Sequence, residues 1–158
     1  MYIPSSIKIK KSNNGKGLFA EKLLKKDSII FHFDGKIDDD IHTNSKSLQI
    51  DDNKFLESTV KFDDFLNHSC NPNCYIEWQN LNLVALRDIQ IGEEISFNYN
   101  TSEYDLINMV QNCSFKCRCN SKNCIGEIRG FRYLTEQQKK EIQKFASPFL
   151  RQKFKQEM

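Results

Sequence analysis

The chain has no apolar run long enough to cross a membrane: the longest, residues 83–86, falls far short of the roughly 18 residues a span requires. Its start, Met1-Tyr-Ile-Pro-Ser-Ser-Ile-Lys-Ile-Lys10, contains no apolar h-region. No secretory signal is therefore expected, and an intracellular location follows, nuclear or cytoplasmic. Glycine and proline are scarce, six and three residues, and no Pro/Gly/Ser linker, low-complexity tract or internal repeat divides the sequence. Collagen-like, disordered and repeat architectures are excluded on that ground. What remains, at 158 residues, is room for one domain. A chain of that length buries roughly 70% of its unfolded surface and needs no disulfide staples.

Charge and cysteine are unevenly spread. The net charge of +2 conceals seven Lys and one Glu in residues 1–26, eight Lys/Arg against seventeen Asp/Glu in residues 27–128, and eight against three in residues 129–158. Basic ends around an acidic middle argue against a nucleic-acid clamp, which gathers its cations on one face. They suit a basic, lysine-rich partner. The six cysteines are Cys70, Cys74, Cys113, Cys117, Cys119 and Cys124. In a reducing compartment these stay thiols, and metal binding is the better reading than disulfides.

Residues 6–10 alternate as a short strand, residues 13–17 read as a turn, and residues 18–20 resume apolar character. Residues 28–33 are β-rich and close at Asp34-Gly35, a hairpin signal. Residues 47–50 and 54–56 are strand candidates around Asp51-Asp-Asn53, and residues 74–78 and 81–86 flank Gln79-Asn80 like a second hairpin. Residues 94–99 read as a strand and residues 106–110 as a helical turn. Thr135-Glu-Gln-Gln138 is a capping box that opens one helix, which Pro148 ends or kinks. That tail is expected to pack on the core through Ile142, Phe145 and Phe149.

Four motifs carry chemistry. Cys117-Arg-Cys119-Asn-Ser-Lys-Asn-Cys124 is a C-x-C-x4-C cluster whose three thiolates can converge on one zinc ion. A tetrahedral site then needs a fourth ligand from Cys70, Cys74, Cys113 or a histidine. A distant ligand would staple a segment poor in apolar residues onto the earlier chain. Asn67-His-Ser-Cys-Asn-Pro-Asn73 is by itself a polar turn, and His68 with Cys70 lacks the orienting third group of a nucleophilic pair. Ile91-Gly-Glu-Glu-Ile-Ser-Phe-Asn-Tyr99 is a turn and a strand ending in tyrosine. Gly15-Lys-Gly17-Leu-Phe-Ala20 lacks the third glycine and the helix of a dinucleotide fingerprint.

In their order along the chain these motifs resemble the SET-domain protein lysine methyltransferases with a post-SET zinc motif, over roughly residues 6–130. The resemblance implies a mostly β fold of small curved β-sheets around a pseudoknot, with a post-SET zinc site and a C-terminal helix. In that pseudoknot the segment ending at Tyr99 threads beneath the loop carrying Asn67 and His68. The implied division is a SET domain (1–112), a post-SET zinc-binding segment (113–131) and a C-terminal helical extension (132–158). S-adenosylmethionine is implied as cofactor, against the backbone of Gly15, Lys16 and Gly17, the Asn67 amide, the His68 backbone and Tyr99. Structural Zn2+ is implied on Cys70, Cys117, Cys119 and Cys124. Cys74 and Cys113 are left over, with Cys113 the substitute should Cys70 fail.

The implied activity is methylation of lysine side chains on a basic protein such as a histone, with neither nucleic acid nor membrane as partner. The alternatives are an inactive module of the same type that holds a lysine-rich tail, and a zinc protein binding nucleic acid through Arg118, Lys122, Arg129 and Arg132. A free lysine has a pKa near 10.4, so supplying the neutral amine at pH 7 costs roughly 4 kcal/mol. A dry channel and a neighbouring sulfonium both lower that pKa, and a dedicated base is not required. Tyr99 would align the amine. Phe97 stands where the family has Phe or Tyr controlling product multiplicity, and phenylalanine implies di- or trimethylation. Two departures stand out: Asp64 occupies a place where the family often has arginine, leaving Lys16 for the cofactor carboxylate, and no cysteine cluster precedes Cys70. Residues 38–40, Asp51-Asp52 and Asp63-Asp64 are candidates to line a groove for a basic peptide.

Overall fold

A computed structural model describes residues 2–39, 46–109 and 111–158. Ile7–Ser12 (β1) and Gly15–Ala20 (β2) form a tight hairpin with Ser12 opposite Gly15. The expected turn at residues 13–17 is thus confined to Asn13-Asn14, and the two glycines belong to the second strand. Ile29–His32 (β3) and Gly35–Asp38 (β4) do not pair with each other. Asp34-Gly35 is a corner between two sheets rather than a hairpin turn, a correction to the sequence reading. Its cause is visible at Gly35, where a Cβ would run into the carbonyl of Glu57, so β4 can lie against that neighbour instead.

Leu48–Asp51 (β5) and Lys54–Ser58 (β6) pair as expected, and β6 also pairs with β4. Asn67–His68 (β7) is followed by the hairpin of Cys74–Glu77 (β8) and Asn82–Ala85 (β9), which completes a sheet with β3. Glu94–Phe97 (β10) joins the first sheet in the order β1-β2-β10-β7. Its first half pairs antiparallel with β2 and its second half parallel with β7, where the Ser69 amide donates to the Phe97 carbonyl (3.0 Å). The late strand therefore runs between the start of the chain and the Asn67 segment. Alternation does the rest: Leu18, Ile76, Leu83, Ile89 and Ile95 are fully buried, each contributing about 1.5–3 kcal/mol.

Phe115–Lys116 (β11) and Glu127–Ile128 (β12) form a two-stranded ribbon, and Glu136–Ile142 (α1) and Pro148–Glu157 (α2) close the chain. The capping box at Thr135 and Gln138 is present. Pro148 neither ends nor kinks that helix, because α1 stops at Ile142 and Pro148 opens a second one behind the Ser147 cap. Proline at a first helical position loses no hydrogen bond. The tail holds its own small core of Phe131, Ala146, Phe149, Leu150 and Phe154, with Ile142 packed against it. Phe145 turns the other way onto Tyr75 (ring centroids 5.2 Å apart), and its carbonyl accepts from Trp78 Nε1 (2.8 Å). The Ser147 amide donates to the Thr101 carbonyl (2.8 Å), so the helices buttress the turn beyond β10. The expected helical turn at residues 106–110 is a series of bends over its described part, and Val110 lies outside the described residues.

Candidate active site

Asn67 ties three strands together. Its Nδ2 shares two hydrogens among Glu94 Oε1 (2.7 Å), the Lys16 carbonyl (2.9 Å) and Ser12 Oγ (3.2 Å). Among the described residues its Oδ1 accepts nothing. A Cβ on Gly17 would collide with Glu94 Oε1 and come within 3.0 Å of Asn67 Nδ2, whereas one on Gly15 would meet open space. The Gly17 backbone therefore belongs to this polar knot, and Gly15 is exposed with open space beside it. Gly17→Ala is expected to push Glu94 off Asn67 and cost about 1–3 kcal/mol of stability, read as a lowered midpoint in thermal unfolding. The Lys16 ammonium sits 5.9 Å from the Phe65 ring centroid.

The residue before Asn67 serves the opposite side. The Leu66 carbonyl accepts from the Tyr99 hydroxyl (2.6 Å). Tyr99 lies in a single 3-10 turn, Tyr99–Thr101, capped by the Asn98 side chain, and its amide donates to His68 Nδ1 (3.0 Å). Burial pulls the His68 pKa down to about 4, so the ring is neutral and Nε2 carries its proton. That nitrogen lies 3.3 Å from Cys70 Sγ and donates to it. Burial, with the charges of Glu103 and Glu94, pushes the Tyr99 phenol up, which keeps it protonated at neutral pH. Phe97 packs on the Tyr99 ring at 5.0 Å and Phe115 at 5.9 Å.

Leu66, Phe97, Tyr99 and Phe115 wall a cavity of about 130 Å³ whose remaining lining includes Asp63, Asp64 and Glu103. Burial raises the Asp63 pKa, against a hydrogen bond from Ser58 Oγ. Of the acidic pairs expected to line a groove, this one does. Asp51-Asp52 sits in the β5–β6 hairpin turn, with Asp52 paired to Lys153 (3.0 Å). Asp40 lies outside the described residues.

The thiols of Cys70, Cys117, Cys119 and Cys124 all lie within 4.8 Å of one another. Cys70 and Cys117 are 3.8 Å apart, the edge of a tetrahedron about 2.3 Å in radius, which suits four sulfurs around zinc. Burial pushes Cys117 up to about 11. Cys119 is drawn down to about 6: burial opposes this, but hydrogen bonds from Ser121 outweigh it. Four crowded thiols resist joint ionisation, and a divalent cation removes that resistance. Cys113 is not in this group but lines the cavity, and Cys74 is buried at the start of β8, where burial pushes its thiol up to about 12.

A family model for the SET domain matches residues 15–100, more than half of the chain. The chain belongs to the SET-domain family. It is 30% identical over 143 residues to a histone-lysine N-methyltransferase, H3 lysine-36 specific, of Gibberella zeae, covering 77% of this chain and 15% of that protein. To the protein of the same description from Saccharomyces cerevisiae it is 29% identical over 150 residues, covering 82% of this chain and 20% of the relative. The chain thus spans about a fifth or less of the curated relatives it matches. The fold is shared with the crystal structure of KRYPTONITE in complex with mCHH DNA, an H3(1–15) peptide and SAH, at a TM-score of 0.61 and 19% identity, over 77% of this chain and 29% of that one.

Within this SET domain the structure gathers the residues singled out in sequence into three adjoining places. Gly15, Lys16, Gly17 and Asn67 meet at the polar knot on β2, Phe97 and Tyr99 form the cavity wall, and Cys70, Cys117, Cys119 and Cys124 the thiol cluster. His68 joins the last two. Glu103, the Leu66 carbonyl and Phe115 were not foreseen. Glu103 follows the tyrosine strand in a polar stretch, Asn-Thr-Ser-Glu, which gives no sign of burial.

Proposed function

We propose that this SET domain transfers methyl groups from S-adenosylmethionine to lysine side chains of a basic protein, with histone H3 the leading substrate class. The observation that carries the reading is the double use of Leu66–Asn67. One residue holds Tyr99 in an acidic-rimmed cavity, and the next holds the glycine strand through the Lys16 carbonyl. The names of the relatives, and the SAH and H3 peptide bound to the fold neighbour, support the same reading. No helix among the described residues is long and apolar enough to cross a membrane.

The exposed backbone beside Gly15 suits an amino-acid ligand: Asn67 Oδ1 is an open acceptor for its ammonium, Lys16 on the same strand is a cation for its carboxylate, and Gly15 leaves room for its body. When bound, S-adenosylmethionine supplies an electrophilic methyl group on a sulfonium. Tyr99, protonated and anchored on Leu66, offers its oxygen to orient the incoming amine, and the packed rings of Phe97 and Phe115 hold it in place. Cys70, Cys117, Cys119 and Cys124 would hold zinc, so that residues 113–131 act as a closing segment on a SET domain of residues 1–112, with residues 132–158 as a buttress.

Incubation with labelled S-adenosylmethionine and histone H3, beside other basic proteins, tests the reading. Label on lysine supports it. Absence of transfer together with absence of SAH binding overturns it, and peptide binding without transfer would leave an inactive module. Phe97 has no hydroxyl to hold a blocking water, so mass spectra are expected to show di- and trimethyl-lysine. Phe97→Tyr is expected to shift the product to monomethyl-lysine, with multiply methylated species reduced about tenfold or more.

A further inference from the structure

The Tyr99 cavity contains a carboxylate that the reading above leaves without a task. Glu103 is buried and lines the same cavity as Phe97 and Tyr99. The β5 strand holds it rigidly. The Gln49 amide donates to Glu103 Oε1 (3.1 Å), the Tyr104 amide donates back to Gln49 Oε1 (2.9 Å), and Ser102 Oγ donates to Glu103 Oε1 (3.1 Å). Both hydrogen bonds to the carboxylate end on Oε1, and among the described residues Oε2 takes none. A buried carboxylate with one oxygen tied and one open is built to meet a cation. Phe33, Leu48, Leu66, Phe97 and Phe115 give the same cavity an apolar surface along which an alkyl chain can lie.

We propose that Glu103 is the proton acceptor for the substrate: the lysine ammonium enters against Oε2 and passes it one proton, breaking an N–H bond and forming an O–H bond, so that the neutral amine is left in the cavity. This rests on the methyltransferase reading, and it replaces a base-free channel by one with a built-in acceptor. The other titratable groups facing the cavity are Asp63, Asp64, Lys46, Cys113 and Tyr99. Burial raises Cys113 and Tyr99 above their ordinary ranges, out of the neutral region. Burial also raises Glu103, to about 7, where an acceptor for neutral-pH work is best placed.

Two measurements on the full chain test it. In calorimetry without cofactor, n-butylammonium is expected to bind the wild type tighter as pH rises through 7, nearly tenfold per pH unit below it. Glu103→Gln should bind weakly with no such dependence. In methyl transfer, kcat/KM of the wild type is expected to rise through pH 7 and then level. Glu103→Gln should fall about 100-fold behind at pH 8 and converge with it near pH 10, where lysine deprotonates unaided. Glu103→Asp, with its carboxylate withdrawn by one carbon, should keep the pH limb at a reduced rate. The glutamine variant should unfold at or above the wild-type temperature at pH 8, because a buried carboxyl no longer has to ionise. An equal loss at every pH, or no loss, with transfer intact in the wild type, overturns the role of Glu103 alone. A wild type that binds the ammonium through Glu103 yet transfers nothing overturns the methyltransferase reading and leaves the cation site standing.

Discussion

Tyr99→Phe is expected to lower methyl transfer to a lysine peptide by about 100- to 1000-fold, the range found when one preorganised polar group is removed from a reacting centre. The variant should still fold. The lost hydrogen bond to the Leu66 carbonyl is worth about 1 kcal/mol, and in a chain of this size that lowers the unfolding midpoint by only a few degrees. The ring keeps its place, because the Tyr99 amide remains bound to His68 Nδ1 and the aromatic contacts to Phe97 and Phe115 do not involve the hydroxyl. Loss of rate without loss of fold separates a working phenol from a packed aromatic. The phenol is pushed above its usual pKa and stays protonated across the neutral range. The residual rate of the variant should therefore keep the wild-type pH profile, and a changed profile would count against an orienting role. Initial rates with labelled S-adenosylmethionine, beside melting curves of both proteins, decide it.

The same residues show what a sequence carries and what it hides. Three of the four motifs were legible because each is a set of residue types that a backbone or an ion demands: glycines where β2 meets Asn67, thiols spaced for one metal, an amide beside a histidine. The hairpin of β8 and β9 was legible from alternation around Gln79-Asn80. Partner choice was not. Asp34-Gly35 has the composition of a hairpin turn, yet β3 and β4 find different neighbours, because Gly35 must lie against Glu57, a residue more than twenty positions away. Pro148 was ambiguous for a local reason, since proline follows helix ends and also opens helices. The Ser147 cap just before it was the better signal. Glu103 was beyond reach, because its burial depends on Gln49 and on the cavity that β5, the Tyr99 turn and Phe115 enclose together.

Removing the zinc proposed at the four thiols is the second large effect expected, and it should act on the Tyr99 cavity from outside. Residues 113–128 contain two strands of two residues each and a single buried apolar side chain, Ile128. So little burial does not fold a segment, and zinc at the four thiols, as proposed above, would supply the ordering. One of those thiols, Cys70, lies beyond the Asn67-His68 strand and accepts from His68 Nε2, while His68 Nδ1 holds the Tyr99 amide. Phe115 leaves from the cluster side and packs on both rings, 6.0 Å from His68 and 5.9 Å from Tyr99. A strong zinc chelator, or Cys117→Ser, is therefore expected to release one zinc per chain. Amides of residues 113–128 should then exchange rapidly while β1, β2, β8 and β9 stay protected. Methyl transfer should fall by about 100-fold as the Phe115 wall opens and the amine loses its alignment. Zinc content, hydrogen exchange and rate must move together. A chain that gives up its zinc and keeps its rate would reduce the cluster to a remote staple and remove Phe115 from the working cavity.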